Sequence, residues 1–279
     1  MTAVQNNRDD ATILGFGAEW SAFDQSALTG DEYQRIFDGY FRIFPFDSIP
    51  ANAEGFDLGC GSGRWALGVA GRVGRLHCID ASQLAIEVAR KNLSGLMNVD
   101  LHVASVDTIP LEDGSQDFGY SLGVLHHVPD TESALRACIR KLKMGAPFLV
   151  YLYYDFDNRP KWFRLLWTLT EGPRWLIARM PFLLRRILTD VVALTIYWPL
   201  ARLAALIQRL GYDVSNMPLS AYRDRSFYSM RTDALDRFGT RLEQRFTRAN
   251  IKQMMETAGL RDVVFSDLEP FWVAVGRRS

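Results

Sequence analysis

The sequence is short of the features that would assign it to several common classes. Cysteine is scarce: Cys60, Cys78 and Cys138 are odd in number, far apart and form no CxxC pair. That pattern supports neither a disulfide framework nor a zinc knuckle, implies no metal, and fits a reducing, cytoplasmic setting. No charge sign is in excess, because 32 Lys and Arg balance 32 Asp and Glu at a pI near 6.9. A neutral chain offers no global basic field, so nucleic acid is not the expected partner. Long apolar runs are also missing. The longest, residues 191–201, is interrupted by Pro199 and bounded by Asp190 and Arg202, well short of the roughly 20 residues that span a bilayer. Residues 1–10 are polar and lack the apolar centre of a signal peptide. There is no internal repeat and no low-complexity segment. What the chain does have is 48% hydrophobic residues over 279 positions, enough for one large core with room for an insertion.

The rest is arranged around Phe56-Asp57-Leu58-Gly59-Cys60-Gly61-Ser62-Gly63-Arg64-Trp65. An apolar run ends in an acid, glycine alternates three times, and an apolar-periodic stretch follows. This reads as strand, tight turn and helix start, with backbone free to approach a small polar ligand. Before it, residues 1–14 read as a loose tail. An aromatic-rich stretch follows in which Tyr33, Phe37, Tyr40, Phe41 and Phe44 recur at helical spacing. After it, apolar strands near 76–80, 99–103, 117–122 and 147–154 alternate with helical patterns capped by Ser82 and Thr131. The fold predicted is α/β: a doubly wound, mainly parallel, Rossmann-like sheet of seven strands with the last antiparallel. Residues 15–156 would hold the N-terminal helix and nucleoside-binding core, and 243–279 would complete it with a helix capped by Thr247 and two strands.

Between them, residues 157–242 break the alternation. This insertion carries four of the seven tryptophans and many arginines, and Pro160, Pro173, Pro181 and Pro199 would cut it into short helices. It would serve as a lid or as a structural appendage. Arginines such as Arg164, Arg174, Arg179, Arg185 and Arg186 beside apolar faces suit a peripheral contact with anionic lipid, and equally a solvated helical cap.

In a doubly wound sheet ligands sit at the carboxyl ends of the strands. Asp80 ends the second strand, 23 residues beyond Asp57, where a carboxylate accepts from both hydroxyls of a ribose. Arg64 stands where a dinucleotide fingerprint needs a small residue, which argues against NAD, and no Lys-Ser/Thr pair follows as in a P-loop.

Asp57-Leu58-Gly59-Cys60-Gly61-Ser62-Gly63 resembles motif I of class I S-adenosylmethionine-dependent methyltransferases, and Ile79-Asp80-Ala81-Ser82 resembles their second-strand acid. Residues 105–118 and Ser121-Leu122-Gly123-Val124-Leu125-His126-His127-Val128-Pro129-Asp130 resemble the type 11 branch of that family. The resemblance covers about residues 55–154 and resumes at 247–276. It implies S-adenosyl-L-methionine as cofactor. Gly59, Cys60, Gly61 and Gly63 would form the turn beside the methionine part, ordered by Asp57. Asp80 with Ala81 would hold the ribose, Ser105 and Val106 would meet adenine, and the backbone near Leu122 would receive the ammonium. Ser105 occupies a place where the family often has Asp, for which Asp107 would substitute by a loop shift. Trp20, in Phe16-Gly17-Ala18-Glu19-Trp20, would close over the cofactor.

Methyl transfer from a sulfonium needs alignment and a competent nucleophile. A hydroxyl nucleophile gains from a histidine base, and His126 and His127 follow the fourth strand, with His127 the better candidate to face the acceptor. In the insertion, Tyr222, Arg223, Arg225, Tyr228 and Arg231 would fix polar groups of a small-molecule acceptor such as a sugar, lipid or secondary metabolite. Two other readings compete: a non-catalytic scaffold or regulatory subunit docking through the insertion, and an RNA-modifying enzyme, which neutral charge disfavours. Nothing in the sequence sets the oligomeric state or the acceptor.

Overall fold

Strand propensity and burial converge first at β1 (Glu54–Leu58), where every residue after Glu54 is buried. The computed structural model describes residues 7–279, which divide into two units.

The first unit comprises residues up to Gln25, Arg35–Tyr154 and Leu242–Ser279. It contains α1 (Asp10–Ala22), most of α2 (Gly30–Phe41), β1, α3 (Arg64–Val69), β2 (Arg75–Asp80), α4 (Gln83–Asn92), β3 (Val99–Val103) and β4 (Phe118–Leu122). These are followed by α5 (Thr131–Lys141) and β5 (Pro147–Tyr151) and, after the insertion, by a helix and two strands. The strand order is β3-β2-β1-β4-β5-β7-β6, with β6 (Leu260–Phe265) and β7 (Val273–Arg278) last. Neighbours from β3 to β5 are parallel, while β7 runs antiparallel to both β5 and β6. This is the sheet the sequence predicts. Its order reverses between β1 and β4, so the carboxyl ends of those two strands border a natural crevice.

Two layers of apolar side chains hold the sheet. One face packs Phe56, Ile79, Phe148 and Val150 with Leu135, Cys138 and Ile139 of α5 and Ile251 and Met255 of the helix that precedes β6. The other carries an aromatic cluster in which Phe41 meets Phe37, Phe44, Trp65 and Tyr120 at centroid distances of 4.4 to 6.2 Å. Register matters at the centre. Gly55 pairs with Phe118 and Phe56 with Gly119, and a Cβ on either glycine would lie 2.4 Å from its partner's ring. Each phenylalanine therefore lies across a glycine of the adjacent strand.

The expected tail through residue 14 is not what forms. Asp9 caps α1 by accepting from Thr12 N at 2.7 Å, so residues 10–14 are helical; residues 1–6 lie outside the described residues. Asn7 is buried and tied at three points. Its backbone N donates to Asp107 Oδ2, its Nδ2 donates to the Asp130 carbonyl, and its Oδ1 accepts from Asp130 N. The cap of α5 is Asp130, not Thr131, whose hydroxyl donates to the Leu125 carbonyl.

The second unit comprises Ser26–Gln34 and Asp155–Arg241. It contains α6 (Lys161–Leu169), α7 (Glu171–Ile177), α8 (Phe182–Val192), α9 (Trp198–Arg209) and α10 (Phe227–Gly239). Its core is small: Ala193, Tyr197, Ala201, Tyr222, Met230 and Ala234. Polar contacts supplement it, among them Arg231 to both oxygens of Asp190 at 2.7 Å and Glu32 accepting from Ser226 N and Ser229 Oγ. Pro199 does not cut the helix here. A π-helical turn at Ala193–Tyr197 lies just upstream and joins α8 to α9. Such a turn reroutes the hydrogen bonds a proline would otherwise break. The result is one 28-residue helix, Phe182–Arg209, which by length and composition could cross a membrane.

Candidate active site

The crevice is floored by the turn after β1. Gly59, Gly61 and Gly63 have φ of +76°, +55° and +76°, values that side chains resist. Space forbids a Cβ as well: at Gly59 it would lie 2.3 Å from Val124, and at Gly61 2.8 Å from the Trp20 ring. The turn is pinned to β2, since the N–H groups of Gly59 and Cys60 donate to the Ile79 carbonyl. Asp80 completes the clamp, its Oδ2 accepting from Gly61 N at 2.9 Å and its Oδ1 from Ser82 N at 2.8 Å. Each carboxylate oxygen offers two acceptor positions, so Asp80 keeps capacity for a ligand while shaping the turn. Burial pushes its carboxyl upward against those two backbone donors.

Asp57 is wholly buried under the turn. Burial pushes its carboxyl up to about 8; the Tyr120 hydroxyl and Arg64 oppose this, and the Asp80 carboxylate adds to it. The Cys78 thiol and burial together push the Cys60 thiol well up. Cys60 therefore lines the crevice as a small neutral side chain rather than a thiolate.

The crevice opens to solvent rather than closing as a cavity. Of the predicted cofactor residues, Trp20, Gly59, Cys60, Asp80, Ala81, Ser105, Val106 and Leu122 line it. Asp57, Gly61 and Gly63 do not; the two glycines lie within the turn and Asp57 is buried under it. Ser105 caps a short helical turn at Val106–Thr108. Asp107 does not line the crevice, and its Oδ2 accepts from Asn7 N. The same lining includes Arg8, Asp9, Thr12 and Ile13, all assigned by sequence to a tail. The one local signal was Asp9, a residue type suited to capping, followed by Asp10 in the first turn; the helix itself carries no apolar stripe.

The histidines separate. His127 lines the crevice, its ring 4.9 Å from that of Phe16. Its Nδ1 lies 2.7 Å from the Leu242 carbonyl. A carbonyl only accepts, so Nδ1 carries the proton, and in the neutral ring Nε2 is the basic nitrogen. His126 has no exposed surface, stacks on Tyr153 at 3.9 Å, and does not line the crevice. It supports the loop.

The predicted acceptor residues are used inside the helical unit. Tyr222 is buried against Tyr197, with ring centroids 5.3 Å apart. Arg223 donates to Gln208 Oε1 and the Ser220 carbonyl, and Arg231 grips Asp190. Tyr228 is half-buried on α10. Arg225 lies over the Tyr222 ring at 5.3 Å. None of the five lines the crevice.

A glycine turn after β1, an acid ending β2 and a seven-stranded sheet whose last strand is antiparallel define a nucleoside-binding enzyme fold. Residues 56–150 match the model of a methyltransferase domain. A ubiquinone biosynthesis O-methyltransferase of Xanthomonas axonopodis pv. citri is 30% identical over 190 residues, which are 66% of this chain and 74% of that protein. The chain belongs to the class I S-adenosylmethionine-dependent methyltransferases. An uncharacterized transposon protein of Streptomyces fradiae is 40% identical over 146 residues, half of this chain. The chain spans only 40% of that protein's length. Among solved structures, the complex of DhpI with SAH covers 99% of each chain at 12% identity and a TM-score of 0.58, a likeness of fold.

Proposed function

We propose that this protein transfers a methyl group from S-adenosyl-L-methionine to a hydroxyl oxygen of a small-molecule acceptor, with His127 as general base. The observation carrying this reading is His127 itself: a crevice-lining imidazole whose Nδ1 is engaged by the Leu242 carbonyl, so that Nε2 takes the acceptor's proton. The O-methyltransferase relative supports oxygen as the nucleophilic atom.

The crevice suits the cofactor. Its floor has glycines where any Cβ would collide, its second-strand carboxylate retains acceptor positions for a ribose diol, and apolar Ala81 and Val106 flank the space an adenine needs. When bound, S-adenosylmethionine supplies a methyl on a sulfonium that leaves as a neutral thioether. The chain's own work is therefore alignment and proton removal. Asp80 and the turn orient the nucleoside, the Leu122 segment receives the ammonium, and Trp20 and Phe16 restrict water at the crevice wall.

Incubating the protein with a metabolite extract and methyl-labelled cofactor tests the proposal. Label should appear in an alkali-stable methyl ether and should fall in His127→Ala while S-adenosylhomocysteine still binds. Label on nitrogen or carbon would reject the oxygen acceptor. Binding without any transfer would favour a non-catalytic scaffold.

A further inference from the structure

The long helix of the second unit has two opposed faces. Inward, Arg185, Thr189, Ala193, Tyr197, Ala201 and Ala204 recur at three- and four-residue steps, all buried. Outward, Leu183, Ile187, Val191, Leu194, Trp198 and Leu206 recur in the same way, each at least 45% exposed. Helix α6 repeats the theme with Trp162, Leu165 and Leu169, and α7 with Trp175. Exposed apolar patches of this extent are rare on a protein that meets only water.

Charge narrows what meets it. Residues 161–212 hold eight Lys and Arg against two acids, Glu171 and Asp190, in a chain that is neutral overall. Asp190 is already committed to Arg231. Lys161, Arg179 and Arg209 are exposed, and Arg179 lies over the Trp175 ring at 4.1 Å. Its guanidinium also donates to the Trp175 carbonyl, so a cation sits on an exposed indole, the basic and aromatic pairing that suits a lipid interface.

We infer that the outer face of α6 to α9 docks on an anionic phospholipid surface, with its leucines and tryptophans at the acyl boundary and its basic residues among the head groups. A bilayer-spanning role fits less well. The uncharged stretch between Asp190 and Arg202 is about 16 Å long at helical rise, roughly half the hydrocarbon thickness. Its ends are tied inward as well, by Asp190 to Arg231 and by Arg202 to the carbonyls of Arg223 and Arg225. A second copy fits less well too, since face-to-face pairing opposes like charge, whereas anionic lipid neutralises it.

Co-sedimentation of the full chain with vesicles tests this independently of any methyl transfer. Vesicles of phosphatidylcholine with phosphatidylglycerol should carry the protein down, and phosphatidylcholine alone should not. The pair Ile187→Glu and Leu194→Glu, with an unchanged far-UV circular dichroism spectrum, should abolish binding. The pair Lys161→Glu and Arg209→Glu, like added salt, should weaken it by about tenfold or more. Should the variants misfold, the wild-type tryptophan emission decides, through a blue shift with the anionic vesicles alone. Wild-type protein that ignores anionic vesicles, binds both kinds equally, or forms a dimer that Ile187→Glu with Leu194→Glu disrupts would overturn the inference.

Discussion

The two units place side chains in opposite wrong environments. In the sheet unit, Asp57, Ser121 and His126 have no exposed surface at all. In the helical unit, Leu183 is 70% exposed and Leu165 61%. Burying a polar group costs free energy unless a partner compensates, and exposing a leucine forgoes the gain of burying it. Some compensation is visible in the sheet unit, where Ser121 Oγ donates to the Leu58 carbonyl behind the glycine turn. The lesson is that each unit departs from a packing-only solution in one place: polar groups beneath the crevice of the sheet unit, apolar groups on an outer helical face where we propose that lipid docks.

The severest way to break this contrast is Gly59→Val. The substitution demands φ of +76° from a branched residue and places Cβ against Val124. A loss of S-adenosylhomocysteine affinity of at least about a hundredfold is expected, with a fold penalty of about 1–3 kcal/mol. Isothermal titration beside urea denaturation separates the two. Undiminished affinity would remove the turn from the cofactor site.

Next in size is the contrast within the histidine pair. His127→Ala should lower kcat by about 10²- to 10⁴-fold with cofactor affinity unchanged. His126→Ala should lower the midpoint of urea unfolding, because it removes a ring stacked on Tyr153, and spare kcat once the protein is folded. Equal kinetic losses in both would make His127 a support like its neighbour.

Much of the sheet unit was legible because its signals are local and mutually consistent. Alternating strands and helices set the layer order, and Gly59, Gly61 and Asp80 stand at offsets that one turn geometry demands. The loss of Asn7 to Ile13 from that reading has a physical cause. A polar segment is held by long-range bonds to Asp107 and Asp130, a hundred or more residues away, and no local pattern encodes them. Pro199 misled for a related reason, since the helix continues through a π-turn at Ala193–Tyr197 whose Ala193 and Tyr197 cluster with Tyr222, Met230 and Ala234, partners distant in sequence. Tyr222 and Arg231 suggested an acceptor site by composition, but composition does not say whether an arginine already has its carboxylate. Asp190, 41 residues away, supplies it.

Asp57 sharpens the comparison through pH. Its carboxyl moves from an ordinary 3.8 to about 8 in the fold, so between those values the folded chain holds a proton that the unfolded chain releases. Stability contributed by this group is full below about pH 4 and is lost as pH rises toward 8, because the unfolded state then binds fewer protons. Asp57→Asn cannot ionise. Urea midpoints of the variant should therefore fall less than those of wild type from pH 5 to pH 8. Parallel curves would show that Asp57 is ionised in the fold throughout.

The smallest effect expected is also the most discriminating for the helical unit. Ile187 and Ala193 lie on one continuous helix, the first 51% exposed and the second wholly buried. If the outer stripe touches nothing within the chain, Ile187→Glu should change unfolding free energy by no more than about 0.5 kcal/mol. Ala193→Leu, which drives three more carbons into the Tyr197–Met230 core, should cost about 1–3 kcal/mol. Urea denaturation without lipid measures both. A penalty for Ile187→Glu as large as that for Ala193→Leu would mean that the outer face is already covered from within, and the exposed leucines would then need no external surface to account for them.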